Sequence, residues 1–237
     1  MNDKWLLILG AGSDMAIAVA RRFAAAGWNI QLASRDLERL ESEAADLRVR
    51  AGVEVQVHPF DALDFASHRG FYEGLSPAPT GVLTAFGVMQ GEPEAAVGTN
   101  FTGAASVLEV VAADFAERPR GFIAAISSVA GDRGRQSNYL YGSAKAGLST
   151  YMAGLRHRLY RLGVPVLCIK PGFVATRMTD GMDLPERLTA STQEVAEAIF
   201  RRLDKGRGGV LYVKPVWRLI MLIIVHLPGF VFNRTKL

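Results

Sequence analysis

The sequence predicts a single α/β domain, a doubly wound parallel sheet of about seven strands, followed by an apolar C-terminal tail. Three observations carry that prediction. Short apolar runs alternate along the chain with helical stretches. No repeat, low-complexity run or linker divides the 237 residues. The first apolar run empties into a glycine-rich turn that opens a helix. Hydrophobic residues make up 49% of the chain, enough for a sizeable core.

Taken in order, KWLLIL (4–9) is a buried strand, and Ser13–Ala26 is a helix of small and apolar residues. WNIQLA (28–33) is the second strand. Asp36 is placed to cap a helix running to about Arg50. VEVQVHPF (53–60) alternates as a strand and GVLTAFG (81–87) is the next. Helix resumes over Phe101–Glu117, GFIAAISS (121–128) is strand, and Asn138–Leu162 is helix. VPVLCIK (164–170), a helix over Thr192–Leu203 and GGVLYV (208–213) complete the pattern. Residues 1–215 therefore form the catalytic-type domain and 216–237 the tail.

Cys168 is the one cysteine, so an internal disulfide is excluded; its apolar run makes it a buried strand residue. Lys4 with Trp5–Leu9 resembles a short signal sequence, but the turn that follows reads better as strand-to-helix, and a cytoplasmic protein is expected. After Asp204 come six Lys/Arg (Lys205, Arg207, Lys214, Arg218, Arg234, Lys236) and no Asp or Glu, so the remainder of this +4 chain is slightly acidic. That distribution argues against a nucleic-acid surface and for one local basic patch.

Ligands of such sheets bind beyond the carboxyl ends of the strands. The segments to inspect are Gly10–Met15, Ser34–Asp36, Asp61, Ala85–Gly87, Ser127–Gly131 and Pro171–Thr176. Small residues in Leu-Gly-Ala-Gly-Ser-Asp-Met-Ala (9–16) let backbone and a helix N-terminus approach a pyrophosphate, although any tight turn of this kind favours glycine. At the second strand end, where NAD-binding folds place an acid for the ribose hydroxyls, the chain has Ser34 and then Arg35. A guanidinium suits a 2′-phosphate, so NADP is expected over NAD.

Tyr141 and Lys145 stand at i and i+4 in a helical run and share a face. A free phenol, with a pKa of about 10, is a poor acid at neutral pH. A neighbouring ammonium is expected to lower that value and let the phenol exchange a proton with a carbonyl oxygen. With six Tyr and six Lys in the chain, roughly 0.15 such pairs arise by chance, so the context has to carry the reading. Ser127 and Ser128 end a strand just upstream. One can bond the same carbonyl oxygen; the other is expected to serve a turn.

These motifs together resemble the short-chain dehydrogenase/reductase family, over about residues 4–215. Tyr141-Gly-Ser-Ala-Lys145 matches its Tyr-x-x-x-Lys, Ser128 its catalytic serine, and Asn100 in GTNFTG the asparagine supporting a proton relay through water to the lysine. KPGFVATRM (170–178) matches the segment lining the nicotinamide, with Thr176 placed for the carboxamide. Asp61 matches the adenine-contacting acid. The resemblance implies a Rossmann fold and an NADP-dependent oxidoreductase that reduces a small-molecule carbonyl, with Asn100, Ser128, Tyr141 and Lys145 as its catalytic residues. It implies cofactor contacts from Gly10, Gly12, Ser13, Asp14, Met15, Ser34, Arg35, Asp61, Ala62, Ala85, Phe86, Gly87, Pro171, Gly172, Val174 and Thr176, with Tyr141 and Lys145 as well. No metal is expected, and a homo-oligomer is. Two departures stand out. Asp14 and Ala16 replace glycines of the family's turn, and Thr84-Ala-Phe-Gly87 replaces its Asn-Asn-Ala-Gly. An acid beside a pyrophosphate is unfavourable unless it points away.

In the tail, Leu219–Val225 is an unbroken apolar run flanked by Trp217-Arg218 and His226. It is too short to span a bilayer and fits a helix at a membrane interface, with a dimer contact as the competing reading. The tail and the GAGSDMA turn resemble a bacterial subgroup of the family whose members reduce a 2-keto-pentose carried on a polyprenyl phosphate. That implies a lipid-linked substrate and peripheral contact with the inner membrane. Two other classes compete with the reductase. A nucleotide-sugar epimerase uses the same Tyr/Lys pair but needs a larger C-terminal substrate domain. A nucleotide-sensing scaffold without turnover usually lacks the Tyr or the Lys.

Overall fold

Apolar runs set between helices fold here into a sheet buried on both faces. The computed structural model describes residues 4–235. Its main sheet contains β1 (Trp5–Leu9), β2 (Asn29–Ser34), β3 (Val55–Pro59), β4 (Gly81–Thr84), β5 (Phe122–Ile126), β6 (Val166–Lys170) and, late in the chain, β9 (Gly209–Tyr212). The order is β3-β2-β1-β4-β5-β6-β9 with every pair parallel. Two-residue strands β7 (Phe173–Val174) and β8 (Thr189–Ala190) pair separately. The order reverses between β1 and β4, and the crevice beyond their carboxyl ends is where such a sheet takes ligands.

Strand alternation divides the core in two. Leu6 and Ile8 of β1, with Leu167 and Ile169 of β6, face α1 (Asp14–Ala24), α2 (Leu37–Ala51) and α7 (Thr192–Asp204). Leu7, Leu9, Val166 and Cys168 face α3 (His68–Glu73), α5 (Gly103–Glu117) and α6 (Tyr139–Leu159). Covering both faces explains why these strands read as unbroken apolar runs. Cys168 is buried, as expected, and burial pushes its thiol pKa up.

Helix ends follow local chemistry. Ser13 caps α1, accepting from the Ala16 amide at 3.1 Å, and Asp36 caps α2, accepting from Arg39 at 3.1 Å. The helix expected from Phe101 starts earlier. α4 (Pro93–Val97) runs through a π turn at Gly98–Thr102 into α5. Gly98 and Gly103, poor helix formers, hid it from the pattern. They are there for close approach: a Cβ on Gly103 would lie 2.2 Å from the Ala62 carbonyl oxygen. α6 ends at Leu159, with a tighter turn at Tyr160–Leu162.

The tail forms α8 (Val216–His226) and α9 (Gly229–Phe232), separated by Pro228. One stripe of α8, Trp217, Met221 and Ile224, is buried with Val129 and against Phe173 and Leu188. The tail is thus fastened to its own domain by one face before any outside surface is considered. The expected basic patch is correspondingly reduced. Lys205 and Arg207 sit at the amino end of β9, away from the tail, and Lys214 is bonded to the Thr189 carbonyl at 2.6 Å. Arg218 and Arg234 remain exposed on the tail, and Lys236 lies outside the described residues.

Candidate active site

Six of the main strands deliver their carboxyl ends to one cleft of about 640 Å³. Gly10, at φ 80°, turns the chain out of β1; a Cβ there would come within 2.6 Å of the Phe86 amide nitrogen, so the β4 loop is seated against this turn. Gly10, Gly12, Ser13 and Met15 line the cleft, as do Ser34, Arg35, Asp61, Ala62, Ala85, Phe86 and Gly87. Pro171, Gly172, Val174 and Thr176 line it opposite. The Ser34 hydroxyl accepts from the Asp36 amide at 3.2 Å. Arg35 is exposed and makes no hydrogen bond or ion pair among the described residues. One Asp61 oxygen accepts from the Leu63 amide at 2.9 Å, closing a small turn.

Asp14 departs from expectation. It does not line the cleft. Its carboxylate turns out of the glycine turn to Arg177, accepting from the Arg177 amide at 2.8 Å and from Nε at 2.7 Å. Arg177 Nη2 also reaches the Gly12 carbonyl at 2.9 Å, and Arg39 lies 3.6 Å from the same carboxylate. Partial burial opposes ionisation of Asp14, but the bonds and charge of Arg177, with Arg39, outweigh it and hold the carboxyl below its ordinary pKa. The acid that looked hostile to a pyrophosphate is neutralised by the segment lying across the cleft.

Ser128, Tyr141 and Lys145 meet in the cleft. The two serines divide their duties. Ser127 is buried, donating to the Lys145 carbonyl at 2.9 Å and lying 2.8 Å from the Ser149 hydroxyl, while Ser128 lines the cleft beside Tyr141 and pulls the phenol's pKa down against its burial. Ser128 also accepts from the Ala130 amide at 3.1 Å, which fixes its rotamer. Lys145 is buried and bonds the Ile126 carbonyl at 3.0 Å; no carboxylate among the described residues pairs with it, and burial drives its pKa down to about 8. Gly87 lies directly over it, since a Cβ there would stand 3.2 Å from Nζ and 2.7 Å from Asn100 Oδ1.

One expectation is corrected here. The Tyr141 pKa is raised by burial, with the Ser128 bond pulling the other way. It is not lowered by Lys145, whose Nζ lies 5.7 Å from the ring centroid and bonds a carbonyl rather than the phenol. The phenol is therefore protonated at neutral pH and able to donate. Asn100, for its part, does not line the cleft. Its amide accepts from Val88 N at 3.2 Å and donates to the carbonyls of Val88 at 2.7 Å and Ala96 at 2.9 Å. It anchors the β4 loop within the π turn.

Sequence reasoning missed Asn138 as a site residue. It stands at the start of α6, one turn before Tyr141, without capping it through its side chain; it lines the cleft, and its Oδ1 is buried without a partner among the described residues. Its position three residues before a candidate acid on a helix was the available signal. Met89, Phe173, Met178 and Met182 give the cleft an apolar end.

A family model for the short chain dehydrogenases matches residues 84–186. An oxidoreductase of Mycobacterium tuberculosis, itself uncharacterised, is 37% identical over 242 residues, covering 97% of this chain and 96% of its own. One from Streptomyces coelicolor is 36% identical, covering 97% and 94%. Among solved structures, a short-chain dehydrogenase from Sphingobium yanoikuyae in complex with NADPH superposes with a TM-score of 0.81 at 24% identity, over 95% of this chain and 97% of that one.

Proposed function

The chain is an oxidoreductase of the short-chain dehydrogenase/reductase family, and on that premise we propose that it reduces a carbonyl to an alcohol with NADPH. The observation that carries this reading is the meeting of a protonated Tyr141 phenol, the Ser128 hydroxyl and a buried, uncompensated Lys145 in a cleft that also holds an unpartnered guanidinium, Arg35. The fit to a dinucleotide phosphate is local. The Gly10 and Gly12 turn offers main chain to a pyrophosphate, Arg35 offers charge to a 2′-phosphate, and Lys145 lacks the anion its burial calls for. The Sphingobium structure, which holds NADPH, supports the same choice.

Bound NADPH supplies the hydride; the protein supplies geometry and the proton. Ser128 holds the carbonyl oxygen against Tyr141. Tyr141 donates its proton to that oxygen as negative charge develops there. Lys145, cationic below about pH 8 and bonded to the Ile126 carbonyl rather than to the phenol, would offer its charge to the bound dinucleotide. Asn100 serves as a positioning residue, holding Val88 and the β4 loop. A scaffold without turnover fares worse, having no use for a buried lysine beside a phenol.

The finer reading is a carbonyl borne on lipid, such as the keto-sugar of the polyprenyl-phosphate subgroup. Met178 and Met182, exposed and lining the cleft, and the apolar tail beside it support that reading. The deciding experiment titrates NADPH and NADH separately by fluorescence, then screens carbonyl compounds, lipid-linked sugars included, by NADPH absorbance. Tight NADPH binding with turnover of at least one class is expected. Failure of NADPH to bind would refute the reading.

A further inference from the structure

Helix α8 is apolar on its buried face and over most of its outward face, with Arg218 and His226 its polar side chains. Trp217, Met221 and Ile224 form the face buried against the domain. The opposite face bears Val216, Leu219, Leu222, Ile223 and Val225, with Leu219, Leu222 and Ile223 each 56–59% exposed. α9 continues it with Phe230, 70% exposed, and Val231. A helix of this composition is ordinarily covered on every side. The face is also held rigidly in place. Arg133, in the loop after Ser128, bonds the terminal carbonyls of α8 at Ile224 and Leu227 and stacks 3.9 Å over the Phe232 ring.

We propose that the outward face of α8 and α9 docks on a lipid bilayer bearing anionic headgroups. Charge selects this occupant over a second copy of the chain. Among the described residues of the tail, the Lys and Arg side chains are Arg218 and Arg234, both exposed and neither engaged by an acid. No Asp or Glu follows Asp204 in the sequence. A two-fold contact of tail on tail would set these arginines against one another with no Asp or Glu on the tail's described residues to receive them, whereas headgroup phosphates complement them. Eleven residues of helix, about 16 Å long, cannot span a bilayer and would lie along it.

The docked face adjoins the cleft. A Cβ on Gly172 would overlap the Trp217 ring at 1.9 Å, and Trp217 Nε1 bonds the Leu188 carbonyl at 3.0 Å, so α8 abuts both ends of the segment covering the site. Docking therefore brings the cleft to the lipid surface. That last step rests on the proposed reductase reading; docking itself does not.

The test is co-sedimentation of the full chain with vesicles of phosphatidylcholine alone or with phosphatidylglycerol added, alongside sedimentation velocity without vesicles. The wild type should bind the anionic vesicles and bind the neutral ones more weakly. Leu222→Glu with Ile223→Glu, both at exposed positions, should lower binding more than tenfold while NADPH binding is unchanged. Arg218→Gln with Arg234→Gln should weaken it by roughly fivefold per charge. Wild type remaining in the supernatant, or a glutamate variant that binds as well as wild type, would overturn the proposal. So would glutamates that split an oligomer while vesicles affect neither form, which would assign the face to a second copy. Loss of NADPH turnover with vesicle binding intact would instead count against the reductase reading alone.

Discussion

Asp14→Asn puts two readings of one residue into opposition. If its charge faces the cofactor's pyrophosphate, removing it should tighten NADPH binding. The geometry says otherwise, because the carboxylate is spent on Arg177, three contacts of 2.6–2.8 Å that tie the covering segment to the first turn. The Arg177 side chain is 59% exposed and that of Asp14 26% exposed, so solvent screening reduces the pair well below the value of a buried one. Two guanidinium nitrogens on one carboxylate oxygen and a main-chain amide on the other keep it near the top of the exposed range, about 1 kcal/mol. Asparagine keeps the shape and loses the charge. NADPH should then dissociate about fivefold faster and bind about fivefold more weakly. Stopped-flow displacement reads the rate, and a double-mutant cycle with Arg177→Gln should return a coupling of about the same size. The latch should also respond to acid. The Asp14 pKa is depressed in the folded chain, so its contribution is complete above the ordinary carboxylate range and is lost as pH falls through the lowered value. Tighter NADPH binding in Asp14→Asn, or additive single variants, would refute the latch.

Arg35→Ala should weaken NADPH by about tenfold to a hundredfold while sparing NADH, read by paired titrations; equal loss of both would make Arg35 a fold residue. Lys145 is a buried cation whose pKa falls from 10.5 to about 8 in the folded chain. Its cost to stability is complete below pH 8 and fades as pH rises toward the unfolded value, so Lys145→Met should raise the apo melting temperature at neutral pH while abolishing turnover. By the same titration, wild-type reduction should decline above about pH 8 in a pH–rate profile. Trp217→Ala removes the ring packed on Gly172 and Phe173 and should cost about 3 kcal/mol in denaturant unfolding, with a loss of activity larger than that of an exposed-face variant such as Leu222→Ala.

The parallel sheet was legible because each central strand is buried on both faces and so reads as an apolar run. The strand ends then pointed to the cleft before any geometry was known. What escaped was whatever depended on distant partners. Gly98 and Gly103 read as helix breakers until the Ala62 carbonyl explains why nothing larger fits. Asp14 read as a defect because its partner, Arg177, lies 163 residues away. The Tyr141 pKa was misjudged because helix spacing shows that two heads share a face but not that Lys145 would be buried and bonded elsewhere. In the tail, composition gave the apolar run, but only packing separates the stripe under Trp217 from the one left outside.

The central claim is that Tyr141 is the proton donor of an NADPH-dependent reduction. Tyr141→Phe tests it most directly, because the ring and its packing stay and only the acid goes. NADPH affinity should remain within about twofold of wild type, while the turnover of any carbonyl accepted by the wild type should fall by roughly 10²–10⁴-fold. A variant that keeps more than about a tenth of wild-type turnover would contradict the account, since the proton would then come from another group.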